Sequence, residues 1–321
     1  MNRHRTAIPV LLAAGALLVG ALTAASPSVA AERPTQGFWS AERMRAATPL
    51  DITAAPGTAA RTAPTTALHA TTIAPTAPSA LALAPSVAPA AAPTAFPQPG
   101  GPWTSGGAVV KTSGRVFFTF NGKNASCSGD SITSANGSTV ITAGHCVKYQ
   151  GAWHTNWIFV PGYENGNAPY GQWAATKTFA TDQWVASEDM NMDVGLAVVA
   201  PIDGRTLSQT VGAQGIVFNG GYNKKMYAFG FPAAAPYDGT KLVYCSGNTG
   251  KDFLLTKDHS LPCNMTGGSS GGPWFQDFNE ATGLGTQVSV NSFGYNFLPN
   301  RMFGPYFGNE AKAAYDKAQT A

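Results

Sequence analysis

From residue 101 onward the chain is written in short apolar runs, and no stretch before residue 310 carries the period of a long amphipathic helix. Gly114-Arg115-Val116-Phe117-Phe118-Thr119-Phe120, Ser138-Thr139-Val140-Ile141-Thr142, Trp157-Ile158-Phe159-Val160, Val194 to Val199, Lys225-Met226-Tyr227-Ala228-Phe229 and Gln287-Val288-Ser289-Val290 are separated by Gly, Asn, Pro and Asp. Runs this short, rich in β-branched and aromatic residues and bounded by turn formers, predict an all-β sandwich or barrel. The exception is Glu310 to Gln319, which reads as a terminal helix over about 309–319, with Asn309 placed to cap it. No repeat of 20 to 50 residues is present, which excludes a solenoid.

The first hundred residues have a different character. Met1 to Ala31 reads as a secretory signal: Arg3 and Arg5 give the positive start, Ala7 to Thr23 is mostly apolar, and Ser28-Val29-Ala30-Ala31 offers small residues for cleavage. Residues 32–100 read as a pro-segment or linker, largely disordered, because Ala, Pro and Thr dominate residues 51–100 and few large apolar groups are left to pack. Glu32 to Leu50 is more helical in character, and Phe38, Trp39 and Met44 are available there to dock on a partner surface. Residues 101–321 are expected to form one domain, large enough for a double barrel. The net charge of +3 belongs to the leading residues; within 101–321 acids and bases balance. With no basic patch there is no case for nucleic acid. A secreted, extracellular monomer with no stable membrane association after signal cleavage is the expectation.

All four cysteines, Cys127, Cys146, Cys245 and Cys263, fall in this domain, and an even number behind a signal sequence favours disulfides over metal ligation. Asn136-Gly137 is a two-residue hairpin signal, and a hairpin centred on it sets Cys127 opposite Cys146. Cys245 is then left to Cys263. No bound metal or other cofactor is expected, since the carboxylates are scattered and the cysteines accounted for.

Three blocks carry chemistry. Thr142-Ala143-Gly144-His145-Cys146 sets an imidazole beside a half-cystine. Asp193-Val194-Gly195-Leu196 opens an apolar run with a carboxylate, and Gly268-Ser269-Ser270-Gly271-Gly272-Pro273 offers a hydroxyl inside a glycine-rich turn whose N–H groups can converge on an oxyanion. An α/β-hydrolase elbow is excluded by order, because no histidine follows Ser270 and the last is His259. The three blocks together resemble the signatures of chymotrypsin-like serine proteases, and within them the secreted bacterial trypsin-like and glutamyl endopeptidase-like branch. The resemblance runs from about Gly107 to Gly294. It implies two six-stranded antiparallel β-barrels, at about 107–200 and 212–300, with the active site between them.

Carried onto this chain, the resemblance implies a serine endopeptidase acting on polypeptide through an acyl-enzyme. Ser270 is the nucleophile, His145 the general base and Asp193 the residue that orients it; Gly268 and Ser270 supply the oxyanion-hole N–H groups. Asp189 competes with Asp193, but Asp193 directly precedes the apolar run. His154 reads as a loop residue and His259 as exposed. Ser269 stands where the zymogen branch carries Asp, so maturation is expected to remove an inhibitory or folding-assisting pro-segment rather than to bury a new N-terminus. Asn264 falls near the base of the primary pocket, where trypsins carry Asp, and Ser292, Phe293 and Gly294 match the pocket wall that pairs with the peptide. Asn291 stands where glutamyl endopeptidases carry His. An uncharged pocket follows, with Asp252 and Asp258 as acids that a loop would have to bring in. The competing functions are a catalytically silent binding relative and an esterase using the same triad.

Overall fold

The computed structural model of the protein describes residue 1 and residues 28–30, 37–54, 62–79 and 95–321. The expected signal therefore lies outside the described residues except for Met1 and the short strand Ser28–Ala30.

Six strands form the first barrel: β1 (Ser113–Phe120), β2 (Lys123–Ser131), β3 (Thr139–Thr142), β4 (Thr155–Pro161), β5 (Trp173–Ala180) and β6 (Gly195–Val199). They run in the order β5-β4-β1-β2-β3-β6, every ladder is antiparallel, and β5 pairs with β6 to close the ring. The apolar runs are nearly continuous because both faces of the sheet are covered. In β1, Val116 and Phe118 enter one core cluster together with Trp157 and Phe159 of β4. Phe117 between them joins Ile158 and Val160 in another, which holds Phe229, Phe231 and Tyr244 from the C-terminal half of the domain. Alternation of period two thus builds a barrel interior and a contact between barrels from the same strands.

The second barrel is built from β7 (Lys225–Gly230), β8 (Val243–Asn248), β9 (His259–Pro262), β10 (Pro273–Asn279), β11 (Leu284–Val290), β12 (Phe293–Tyr295) and β13 (Leu298–Gly304). It lies in two sheets, β8-β7-β10-β11 and β9-β13-β12, whose ladders are antiparallel. Only Asn291 and Ser292 separate β11 from β12. The Cys245–Cys263 disulfide joins β8 to the end of β9, and so one sheet to the other. The final helix, Asn309–Gln319, buries Ala311, Ala314, Tyr315 and Ala318 on one face. Its cap position is taken by Gly308, and Asn309 is the first helical residue.

Two turn expectations are corrected. The two-residue hairpin is Asn121-Gly122, between β1 and β2, where both residues have positive φ, 49° and 73°, as a type I′ turn demands. Asn136-Gly137 sits instead in the longer loop between β2 and β3. There the Asn136 side chain accepts from the Ser138 N–H at 3.0 Å and donates to Ala318 O at 2.9 Å in the final helix. Cys127 does bond to Cys146. The β2–β3 ladder stops at Ile141 and is offset from the assumed register, however, and Cys146 lies in the one-turn helix Gly144–Cys146 beyond it.

Residues 37–54 and 62–79 make contacts with this domain. Residues 37–54 bury Trp39, Met44, Ala47, Ile52 and Ala54. Residues 62–79 add the strand Thr71–Ile73, antiparallel to Gly215–Phe218.

Asp130 of β2 is wholly buried; one oxygen accepts from Ser113 Oγ at 3.0 Å and the other has no partner. Burial pushes its carboxyl up to about 8, against the Ser113 and Thr112 hydroxyls that pull it down. The folded protein then keeps a proton that the unfolded chain, titrating near ~3.9, gives up. The stability this group allows is intact below about pH 4 and declines as pH rises to about 8, by up to ~1.4 kcal/mol per pH unit. Asp130→Asn is expected to flatten that decline, as read from urea midpoints between pH 5 and pH 8; parallel wild-type and variant curves would contradict it.

Candidate active site

The turn after β3 delivers His145 to the inside of the molecule, where its ring is inaccessible to solvent. Its Nδ1–H donates to Asp193 Oδ2 at 2.8 Å and its backbone N–H to Asp193 Oδ1 at 2.8 Å. Asp193, equally buried, closes the one-turn helix Met190–Met192 just before β6. Ser292 Oγ donates a third hydrogen bond to this carboxylate, at 2.5 Å. The opposite ring nitrogen, His145 Nε2, is buried and makes no hydrogen bond among the described residues. One face of the imidazole is therefore fixed and the other is left free.

Neighbours hold this turn from every side. The Cys127–Cys146 disulfide ties it to β2, His154 Nε2–H donates to His145 O at 2.8 Å, and Trp157 Nε1–H donates to Cys146 O at 3.0 Å. Gly144 has no room for a side chain, since a Cβ there would come within 2.7 Å of the Trp184 ring and 2.9 Å of Asp193 Oδ1. His154 was read as a loop residue and is in fact buried, stacked on Phe118 with ring centres 4.2 Å apart. Burial lowers its pKa to about 4, so it supports the turn as a neutral donor. His259 is buried too, contrary to its expected exposure.

The Ser270 loop meets this turn across the barrel junction. Ser128 N–H donates to Ser270 O at 2.7 Å, and the Cys146 sulfur lies 3.7 Å from the same oxygen. Ser128 Oγ donates to Gly268 O at 2.9 Å. Asn291, the residue that replaces the glutamyl-branch His, is a fastener: its Nδ2 donates to Ser269 O and Phe229 O, and its Oδ1 accepts from Trp274 Nε1. Both loop serines line the open cleft, and Ser269 Oγ is spent on Thr266 O at 2.8 Å.

Asp189, the competing acid, accepts from Asn191 N–H at 3.2 Å and Thr62 N–H at 2.7 Å, and so serves as a turn cap. Asn264, Ser292 and Gly294 line the same cleft as Ser270. Asn264 Oδ1 accepts from the Tyr237 hydroxyl at 2.6 Å. Phe293 does not line it: its ring is buried against Phe303, with centres 5.1 Å apart. Asp252 and Asp258 stay out of it as well. Asp252 accepts from Thr256 Oγ1 and Tyr295 OH, each at 2.6 Å. Asp258 is fully buried without a partner, and burial first, then Asp252, Asp193 and Asp189, raise its pKa. The cleft is not uncharged, because Arg301 and Asp51 line it. Neither had a signal in the sequence, since β13 and the leading segment reach the cleft only through the fold.

One group among the described residues has metal-like spacing: Cys127, His145 and Cys146, with ligand atoms within 4.8 Å of one another. Both sulfurs are consumed in one disulfide, so no thiolate is available to bind an ion.

With this geometry in view, the chain compares as follows. The protease Anisep from Arthrobacter nicotinovorans is 44% identical, with a TM-score of 0.63, over 67% of this chain and 98% of that one. A thermostable serine protease, AL20, from an extremophilic microorganism is 41% identical, with a TM-score of 0.63, over 67% and 99%. A Glu endopeptidase shares the fold at 16% identity and a TM-score of 0.55, over 69% and 97%. An extracellular metalloprotease of Bacillus subtilis (strain 168) is 34% identical over 73 residues; the chain spans only 23% of that protein's length, and the match 22% of the chain. No family model matches. The chain belongs to the bacterial serine proteases of chymotrypsin-like fold.

Gly271 has a φ of +83°, and a Cβ on it would lie 2.0 Å from Thr142 Oγ1 and 2.4 Å from Ser128 O. Both backbone strain and collision oppose a side chain. Gly271→Ala is expected to destabilise the protein by about 3 kcal/mol or more, lowering Tm by roughly 6 °C or more in calorimetry.

Proposed function

We propose that this chain is a secreted serine endopeptidase, made as a precursor, that hydrolyses peptide bonds through an acyl-enzyme on Ser270. The observation that carries the reading is the buried His145–Asp193 contact, which leaves Nε2 without a hydrogen-bond partner among the described residues, in a turn whose Cys146 sulfur lies 3.7 Å from Ser270 O. In the reaction, Ser270 Oγ bonds to the scissile carbonyl carbon as His145 Nε2 takes its proton. Oxyanion charge collects before the N–H groups of Gly268 and Ser270. The C–N bond then breaks, and His145 returns the proton to the departing amine. Water repeats the sequence on the ester and frees Ser270. Asp193 keeps the imidazole in the tautomer with a proton on Nδ1 and stabilises its charged form, while Ser292 holds Asp193 in place. The two disulfides fit an extracellular setting.

Ser270→Ala is expected to lower kcat on the order of a million-fold. Ser269→Ala removes only a hydroxyl bonded to Thr266 O, and should stay within about tenfold of wild type. Hydrolysis of a peptide substrate decides this, and equal losses at the two serines would overturn the assignment. Ser292→Ala strips one donor from the buried Asp193; a drop in kcat of roughly tenfold with little change in KM is expected from steady-state kinetics.

A further inference from the structure

Residues 37–54 dock on the domain in two parts. Helix Ala41–Ala46 is capped by Ser40, whose Oγ accepts from Arg43 N–H at 3.2 Å. It sets Met44 into the cluster shared by the two barrels, 1% exposed, beside Trp39 at 3%. The Trp39 ring lies 5.5 Å from that of Phe117, its Nε1 donates to Asn156 O at 2.7 Å, and Gln172 Nε2 donates to Trp39 O at 2.9 Å. This is a specific seat, not a loose linker.

The chain then runs through the cleft. Thr48–Pro49 pairs parallel with Ala125–Ser126 of β2, directly before Cys127, and Leu50 N–H donates to Ser126 O at 2.9 Å. Gly268 N–H, one of the two groups assigned above to the oxyanion, donates instead to Leu50 O at 3.2 Å. Asp51 follows and lines the cleft with Ser270, its Cβ 2.9 Å from where a side chain on Gly267 would begin. Thr53–Ala54 then pairs parallel with Gly294 and Tyr295 of β12.

We propose that residues 48–54 are an internal inhibitor of this protease, seated by Trp39 and Met44, which holds Gly268 and the β2 and β12 edges that a peptide substrate would use. The inference rests on the endopeptidase reading of the same site. Asp51 also brings a carboxyl near His145, whose charge pulls it down against the larger upward push of burial. Parallel pairing is the weaker kind of ladder, so the cleft strand depends on its two apolar anchors and can be released by losing them.

The test follows labelling of Ser270 by a fluorophosphonate on the uncut full chain, scored by mass on the full-length band. The wild type is compared with Trp39→Ala/Met44→Ala and with Leu50→Pro, which removes the N–H bonded to Ser126 O. Both variants are expected to label at least roughly tenfold faster. A synthetic peptide of residues 37–54 added to the double variant is expected to slow it again, in competition with a peptide substrate. Near-UV circular dichroism confirms folding, and Leu50→Pro decides the matter if the double variant does not fold. Folded variants that label no faster than wild type overturn the inference and leave the protease reading standing. Failure of every form to label, with Ser270→Ala indistinguishable from the rest, removes both.

Discussion

Asp193 has no access to solvent, and a carboxylate withdrawn from water persists only where donors replace the water it lost. Three do so here: the backbone N–H and Nδ1–H of His145, and the hydroxyl of Ser292. His145 and Asp193 come from the first barrel and Ser292 from the second, so the contact forms only when the barrels are together. Its geometry is set by rigid neighbours: a disulfide on one side of the turn, Trp184 against Gly144 on another, and His154 beneath. The order of this site is a consequence of packing.

The Ser270 loop obeys the same logic from the other barrel. Its backbone is fastened by Ser128, Asn291 and Thr266, and its glycines sit where any side chain would strike the first barrel or the loop's own support. Fixing the loop in advance lowers the reorganisation needed when charge develops on the substrate.

Much of this was readable from residue order, and the failures have physical causes. Short apolar runs announced the strands, and the blocks that hold His145, Asp193 and Ser270 were singled out on local residue types alone. Phe293 was named as part of a wall that pairs with peptide through its backbone; its ring turns to the core, a facing that residue order alone does not report. Asn136-Gly137 carries the hairpin dipeptide yet sits in a longer loop, while Asn121-Gly122 closes in two residues, so the dipeptide alone does not report loop length. His154 and His259 were read by polar neighbours, while tertiary packing buried both. Over residues 37–54, Trp39 and Met44, noted as available to dock, are both buried and seat a segment whose surroundings are poor in large apolar groups.

The account stands on the buried carboxylate that steadies His145, and the most direct measurement compares kcat for Asp193→Asn and Asp189→Asn. An amide at 193 donates where an acceptor is needed, so the imidazole loses its working tautomer; a fall on the order of ten-thousand-fold is predicted, as for the corresponding change in a serine protease triad. Asp189→Asn disturbs only a turn cap and should remain within about tenfold of wild type. Equal losses at the two positions, or an Asp193→Asn enzyme close to wild type, would contradict the account.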